Sequence, residues 1–160
     1  LPRGERVELA AALRALLEPV DGCLLAASDP TIPADGVHLA AADPFPADHP
    51  GVVGRSCHDL AEVRAAQAEG CDYVTLSPIH TTSSKPGYGP ALGVVTLRSV
   101  AQATTVPIYA LGGITTPASA HECLDAGAAG VAVMGSAMRD PNDLALMTAG
   151  LTASAGPERS

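Results

Sequence analysis

Across residues 4–17 the apolar positions Val7, Leu9, Ala10, Leu13, Leu16 and Leu17 recur at helical spacing, while Glu5, Glu8 and Arg14 fall largely elsewhere. This spacing predicts an amphipathic helix ended by Pro19. Two short apolar runs follow, at 22–27 and 36–39, separated by the turn-rich Asp29-Pro30-Thr31-Ile32-Pro33. From residue 52 onward the chain repeats one unit of apolar strand, polar loop and helix. Strands are predicted at 52–56, 73–76, 106–111 and 130–134, and helices at 60–69, 94–103 and 117–126, with a last helix from Asp140-Pro141. Asp59 is placed to cap the first of these helices, and Gly70 and Gly127 to stop the first and third.

Repeated strand-helix units with strongly apolar strands imply a parallel sheet, because parallel neighbours need crossovers and bury both faces. A doubly wound sheet and a barrel both satisfy that pattern. Polar and glycine-rich residues gather after nearly every strand, which favours a parallel β/α (TIM-type) barrel over a sheet with one switch point. A full eight-fold barrel takes at least ~200 residues. The chain has 160 and six candidate strands, so the expectation is a single barrel-type domain over 1–160, incomplete at its N-terminus by one or two units.

Composition narrows the picture. With 47% hydrophobic residues, 2% aromatic and no Trp, the core must be built from Ala, Val, Leu and Ile, with Phe45, Tyr73, Tyr88 and Tyr109 as its large rings. The formal charge of -8, with basic residues scattered, argues against a nucleic-acid partner. It leaves room for a phosphorylated small substrate held by backbone N–H groups and one or two cations. Cys23, Cys57, Cys71 and Cys123 show no CxxC pair or metal-finger spacing and read as reduced structural thiols. No apolar run is long enough to cross a bilayer, and a cytoplasmic protein is expected. Association with further copies of the chain is left open.

Four places could carry chemistry. Gly112-Gly113 follows one predicted strand and Gly135-Ser136 the next; in barrels the loops after the last two strands commonly hold a phosphate, although glycines there also serve as plain tight turns. The segment from Ser77 to Gly87 is rich in hydroxyls and bears Lys85, a combination able to grip a diphosphate and offset the charge that develops as it leaves. A solvated loop is its bland alternative. In Arg55-Ser56-Cys57-His58, His58 could carry a proton or simply bond backbone at a helix start. Asp29 and Asp43 each precede Pro after an apolar run, where carboxylates either cap turns or meet a magnesium ion.

Taken together, Asp35-Gly36-Val37-His38-Leu39, Gly54-Arg55-Ser56-Cys57-His58, Asp72-Tyr73-Val74, Ser84-Lys85-Pro86-Gly87, Ala110-Leu111-Gly112-Gly113-Ile114 and Gly130-Val131-Ala132-Val133-Met134 resemble the thiamine phosphate synthase and TenI family. The likeness runs from Asp35 to Pro141. It implies an eight-fold β/α barrel and a magnesium-dependent transferase of thiamine biosynthesis. Such an enzyme joins hydroxymethylpyrimidine diphosphate to thiazole phosphate and releases diphosphate. Carried over by position, Thr82, Ser84 and Lys85 would grip the diphosphate, Ser56 would lie near the pyrimidine, and Gly113, Gly135 and Ser136 would cradle the thiazole phosphate. Asp43 would be a magnesium ligand, with Asp29 a second candidate.

The sequence also departs from the family pattern. Ala40-Ala41 stand where the family has Gly-Gln, and the strand that brings a Gln-x-Arg-x-Lys set would lie upstream of Leu1. Two other readings therefore stay open. One is the TenI-type thiazole tautomerase, with His58 moving the proton. The other is a non-catalytic barrel that only binds phosphate.

Overall fold

The computed structural model describes residues 1–81 and 90–154. Its centre is a six-stranded, all-parallel sheet in simple sequence order: β1 (Leu25–Ala27), β2 (Gly36–Leu39), β3 (Val52–Cys57), β4 (Tyr73–Leu76), β5 (Ile108–Leu111) and β6 (Gly130–Ala132). Around it lie α1 (Arg3–Leu17), α2 (Leu60–Glu69), α3 (Gly93–Ala103), α4 (Pro117–Asp125), α5 (Gly135–Arg139) and α6 (Pro141–Ser154). The sheet curls into a partial barrel with helices. Among the described residues β1 pairs only with β2 and β6 only with β5.

The period-two alternation of strands sorts the side chains onto two faces. Val37, Leu39, Val53, Cys57, Val74, Leu76, Ile108 and Ala110 point to one face and are almost fully buried. They join Val63 and Ala66 of α2, Leu97 and Val100 of α3, and Ala120 and Cys123 of α4 in one core cluster. The alternate residues, His38, Gly54, Ser56, Tyr73, Thr75, Tyr109 and Gly130, share the opposite face in register. There Tyr109 remains 37% exposed. Apart from Arg55, which points to the first face, the sheet's polar side chains lie on this second face.

Local chemistry follows the expected signals in several places. Asp59 caps α2 by accepting the Glu62 amide, and Gly70 ends that helix at φ +94°. Thr116 and Ser119 form a reciprocal capping box at the start of α4. The β1–β2 and β2–β3 crossovers contain no helix; α1 covers the outer side of β1, through Ala10, Ala26 and Ile32. Residues 135–139 form the short helix α5 where a loop was expected; five residues are too few to show a helical period.

Aspartates latch the strands at the opposite end from the loops of interest. Asp35 Oδ2 accepts the Leu24 amide at 2.8 Å, and Asp72 Oδ2 accepts the Val53 amide at 2.7 Å. Each satisfies a main-chain donor at the start of the neighbouring strand, where no ladder partner is available.

Candidate functional site

The two glycine loops leave the same edge of the sheet side by side, because β5 and β6 pair with Leu111 opposite Ala132. Gly112 and Gly113 have φ of +98° and +69°, which L-residues with side chains rarely adopt. A Cβ on Gly113 would meet His80 Cβ at 2.6 Å and the Thr81 carbonyl oxygen at 2.6 Å. The positive φ and this close approach together require glycine. Gly135 and Ser136 open α5, so their amides have no acceptor within the helix. The Ser136 side chain lies outside what is described.

The hydroxyl-rich loop starts and ends beside these glycines. Ile79 N–H donates to the Leu111 carbonyl at 2.9 Å and His80 N–H to that of Gly112 at 3.0 Å. On the returning side, Leu92 and Gly93 donate to the carbonyls of Pro78 and Ile79 at 2.8 and 2.9 Å. The neck of the loop is therefore closed on itself and sewn to β5. Thr82, Ser84 and Lys85 themselves lie outside the described residues.

Ser56 projects from β3 onto the polar face and its Oγ lies 2.9 Å from His38 Nε2. The other ring nitrogen of His38 is 2.7 Å from the Tyr73 hydroxyl. Gly54, opposite Tyr73 in register, provides the room for this arrangement, since a Cβ there would collide with the Tyr73 ring. Tyr73 in turn meets Tyr109 edge-on, with centroids 5.5 Å apart. Burial lowers the His38 pKa and pushes the Tyr73 phenol up to about 12; both groups are therefore neutral near pH 7. Sequence reasoning missed the roles of His38 and Tyr73. The available signal was parity, because both fall on the same side of the sheet as Ser56.

Arg55 points to the opposite side from Ser56 and is buried. One terminal nitrogen donates to the carbonyls of Ala40, Ala41 and Asp43 at 3.2, 3.1 and 2.7 Å. The other sits 2.9 Å from the Glu69 carboxylate, an ion pair by distance whose N–H is not aligned for a hydrogen bond. His58 precedes the cap of α2, and its Nδ1 lies 3.0 Å from Glu62 Oε2. That carboxylate also accepts the His58 main-chain amide at 2.7 Å.

The two candidate metal ligands differ. Asp29 accepts from the Thr31 amide at 3.0 Å and hydroxyl at 2.7 Å and pairs with Arg6 at 3.4 Å; the Thr31 bonds are the main reason its pKa is lowered. It is committed to a turn and a cation. Asp43 has its pKa lowered chiefly by the Ser28 hydroxyl, then by the Ala40 amide. Its carboxylate and the neighbouring hydroxyl are hard oxygen donors, a set that fits a magnesium ion completing its shell with phosphate and water. Among the described residues no three His, Cys, Asp or Glu side chains cluster as a protein-built metal site.

The family profile described as thiamine monophosphate synthase matches residues 2–137. A thiamine-phosphate synthase of Lactiplantibacillus plantarum is 41% identical over 105 residues, covering 65% of this chain and 48% of that protein. One from Methanoculleus marisnigri is 42% identical over 83 residues, covering 52% and 39%. The matched segments thus span less than half of these curated relatives. The solved thiamine phosphate pyrophosphorylase of Pyrococcus furiosus superposes with a TM-score of 0.82 at 24% identity, over 98% of this chain and 80% of that one, a likeness of fold. With the profile spanning most of its length, this chain belongs to the thiamine monophosphate synthase (TMP-TENI) family.

Proposed function

We propose that this chain carries the transferase chemistry of a thiamine-phosphate synthase, coupling hydroxymethylpyrimidine diphosphate to thiazole phosphate. The observation that carries the reading is the meeting of three loops at one sheet edge: Gly112-Gly113, Gly135-Ser136, and the neck of the loop that bears Lys85. In this reading the six strands are the larger part of a closed eight-stranded barrel. The match to the Pyrococcus furiosus fold supports that placement.

The reaction breaks the bond between the pyrimidine methylene carbon and the diphosphate oxygen, and both electrons leave with the oxygen. The thiazole nitrogen then donates its lone pair to the methylene cation, forming the C–N bond of thiamine phosphate. No proton need be transferred. The work of the protein is therefore to hold two anions in place and to stabilise the leaving one. The main-chain amides of Gly113, Gly135 and Ser136 would hold the thiazole phosphate, and Thr82, Ser84 and Lys85 the diphosphate. Ser56 would donate to the pyrimidine substrate. Asp43 would hold magnesium, which neutralises diphosphate charge when bound; Asp29 is already engaged. The free thiols suit a cytoplasmic setting, and among the described residues no helix is long and apolar enough to cross a membrane.

The experiment is to incubate the protein with both substrates and magnesium and to follow thiamine phosphate by its oxidation to a fluorescent thiochrome. Formation that depends on Lys85 supports the reading, and its absence argues against it. A second reading, thiazole tautomerisation, draws support from the His58–Glu62 pair, since a carboxylate on Nδ1 fixes the ring and leaves Nε2 to move a proton. Tautomer exchange of thiazole phosphate that disappears in His58→Ala would favour it.

A further inference from the structure

We propose that His38 is a positioning residue for the transfer reaction: Tyr73 O–H donates to its Nδ1, its Nε2–H donates to Ser56 Oγ, and the Ser56 proton is thereby aimed at the substrate. The role of Ser56 in this proposal rests on the synthase reading; the direction of the relay does not.

The geometry fixes the chain of contacts but allows two directions. In the alternative, Ser56 would donate to Nε2, and Nδ1–H to Tyr73. Two features favour the proposed sense. A phenol is a strong donor, and its oxygen is a poor acceptor because its lone pair is delocalised into the ring; an alcohol oxygen accepts better. The distances agree, since the 2.7 Å contact to Tyr73 has the length of an O–H donor and the 2.9 Å contact to Ser56 that of an N–H donor. In either sense Tyr73 is held in place, with its ring across Gly54 and edge-on to Tyr109.

The relay also says what Ser56 does not do. A serine whose oxygen accepts from histidine is not activated as a nucleophile, because its proton has no base to go to. It is a hydrogen-bond donor of fixed direction. That suits a reaction in which the protein attacks nothing and only steadies a departing anion. Among the described residues, His38 is the hydrogen-bond partner of the Ser56 side chain.

The tautomer can be read directly by long-range nitrogen-proton correlation NMR of the labelled full chain at neutral pH, with His38→Gln to assign the signal. The expected result is a proton on Nε2 and a bare Nδ1. In Tyr73→Phe, which keeps the ring on its neighbours, the balance should move toward Nδ1–H. A proton on Nδ1 in the unaltered protein, or a tautomer ratio indifferent to Tyr73→Phe, overturns the proposal. Turnover supplies the second arm. His38→Asn should lower kcat about tenfold, as the loss of one oriented hydrogen bond would. His38→Gln, whose amide can reach Ser56, should recover most of that loss. In a Ser56→Ala background His38→Asn should cost nothing more; additive losses would mean that His38 does not act through Ser56. If the protein makes no thiamine phosphate at all, the synthase reading falls, while the NMR result still decides the relay.

Discussion

The buried guanidinium of Arg55 donates to the main-chain carbonyl of Asp43 at 2.7 Å, so the loop that carries this carboxylate is held from the helical side of the sheet. Ser56, the next residue, faces the other way. Adjacent positions on β3 thus perform two tasks, one fixing the loop that carries Asp43 and the other lining the polar face.

Replacing Arg55 tests the first task. Arg55→Ala strips three carbonyls of their donor and the Glu69 carboxylate of its ion-pair partner and leaves a void, and should cost about 2–3 kcal/mol of stability. Arg55→Lys should recover little of it, because one ammonium cannot both donate to the carbonyls and lie beside the Glu69 carboxylate as the wider guanidinium does. Urea unfolding measures both. A Lys variant as stable as the original would mean that charge alone matters at this position.

At Gly113 backbone and space act together. Gly113→Ala adds a strained φ and a clash with the neck of the Lys85 loop, and should weaken thiazole phosphate binding by at least about tenfold if the two loops share the ligand. Gly70→Ala provides the comparison, since Gly70 also has positive φ but no atom within 4 Å of its Cβ position. It should lose roughly 1–2 kcal/mol of stability with binding unchanged. Calorimetric titration of both variants separates strain from site geometry.

Burial gives His38 a pH signature. Its folded pKa lies below the ordinary 6.5, so the unfolded chain takes up this proton first as the pH falls. Stability from keeping His38 neutral is complete above about pH 6.5 and is lost as the pH drops toward the folded value. Asp29, Asp35 and Asp43 have lowered pKa values, so their contributions are lost only below the ordinary carboxylate range. The urea midpoint should therefore fall between about pH 7.5 and 5.5, and by less in His38→Gln. An identical fall in both proteins would remove His38 as the cause.

Replacing Lys85 tests whether binding and turnover can be separated. If the lysine stabilises the departing diphosphate, Lys85→Ala should abolish thiamine phosphate formation and hardly affect thiazole phosphate affinity. Equal loss of both would assign Lys85 to general anion binding instead.

Much of this was legible from residue order. The parallel sheet followed from apolar runs separated by helical segments, and the positions of Gly112-Gly113 and Gly135-Ser136 at strand ends followed with it. Other features depend on register, which a single strand does not reveal. Tyr73 reaches His38 only because Gly54 lies opposite it on the neighbouring strand. Asp35 and Asp72, read as parts of recognition motifs, turn out to cap strand amides. Asp29 and Asp43 looked alike as Asp-Pro turns, and it is the Arg6 side chain from α1 that sets Asp29 apart. Such partners are distant in sequence and carry no local signal.

The most direct test is a titration of the amide-labelled protein with thiazole phosphate, followed by NMR, with the dephosphorylated thiazole alcohol as the comparison. The account predicts that the amide signals of Gly113, Gly135 and Ser136 shift together and saturate with the phosphate and stay in place with the alcohol. Shifts confined to other residues, or equal with both compounds, would contradict it.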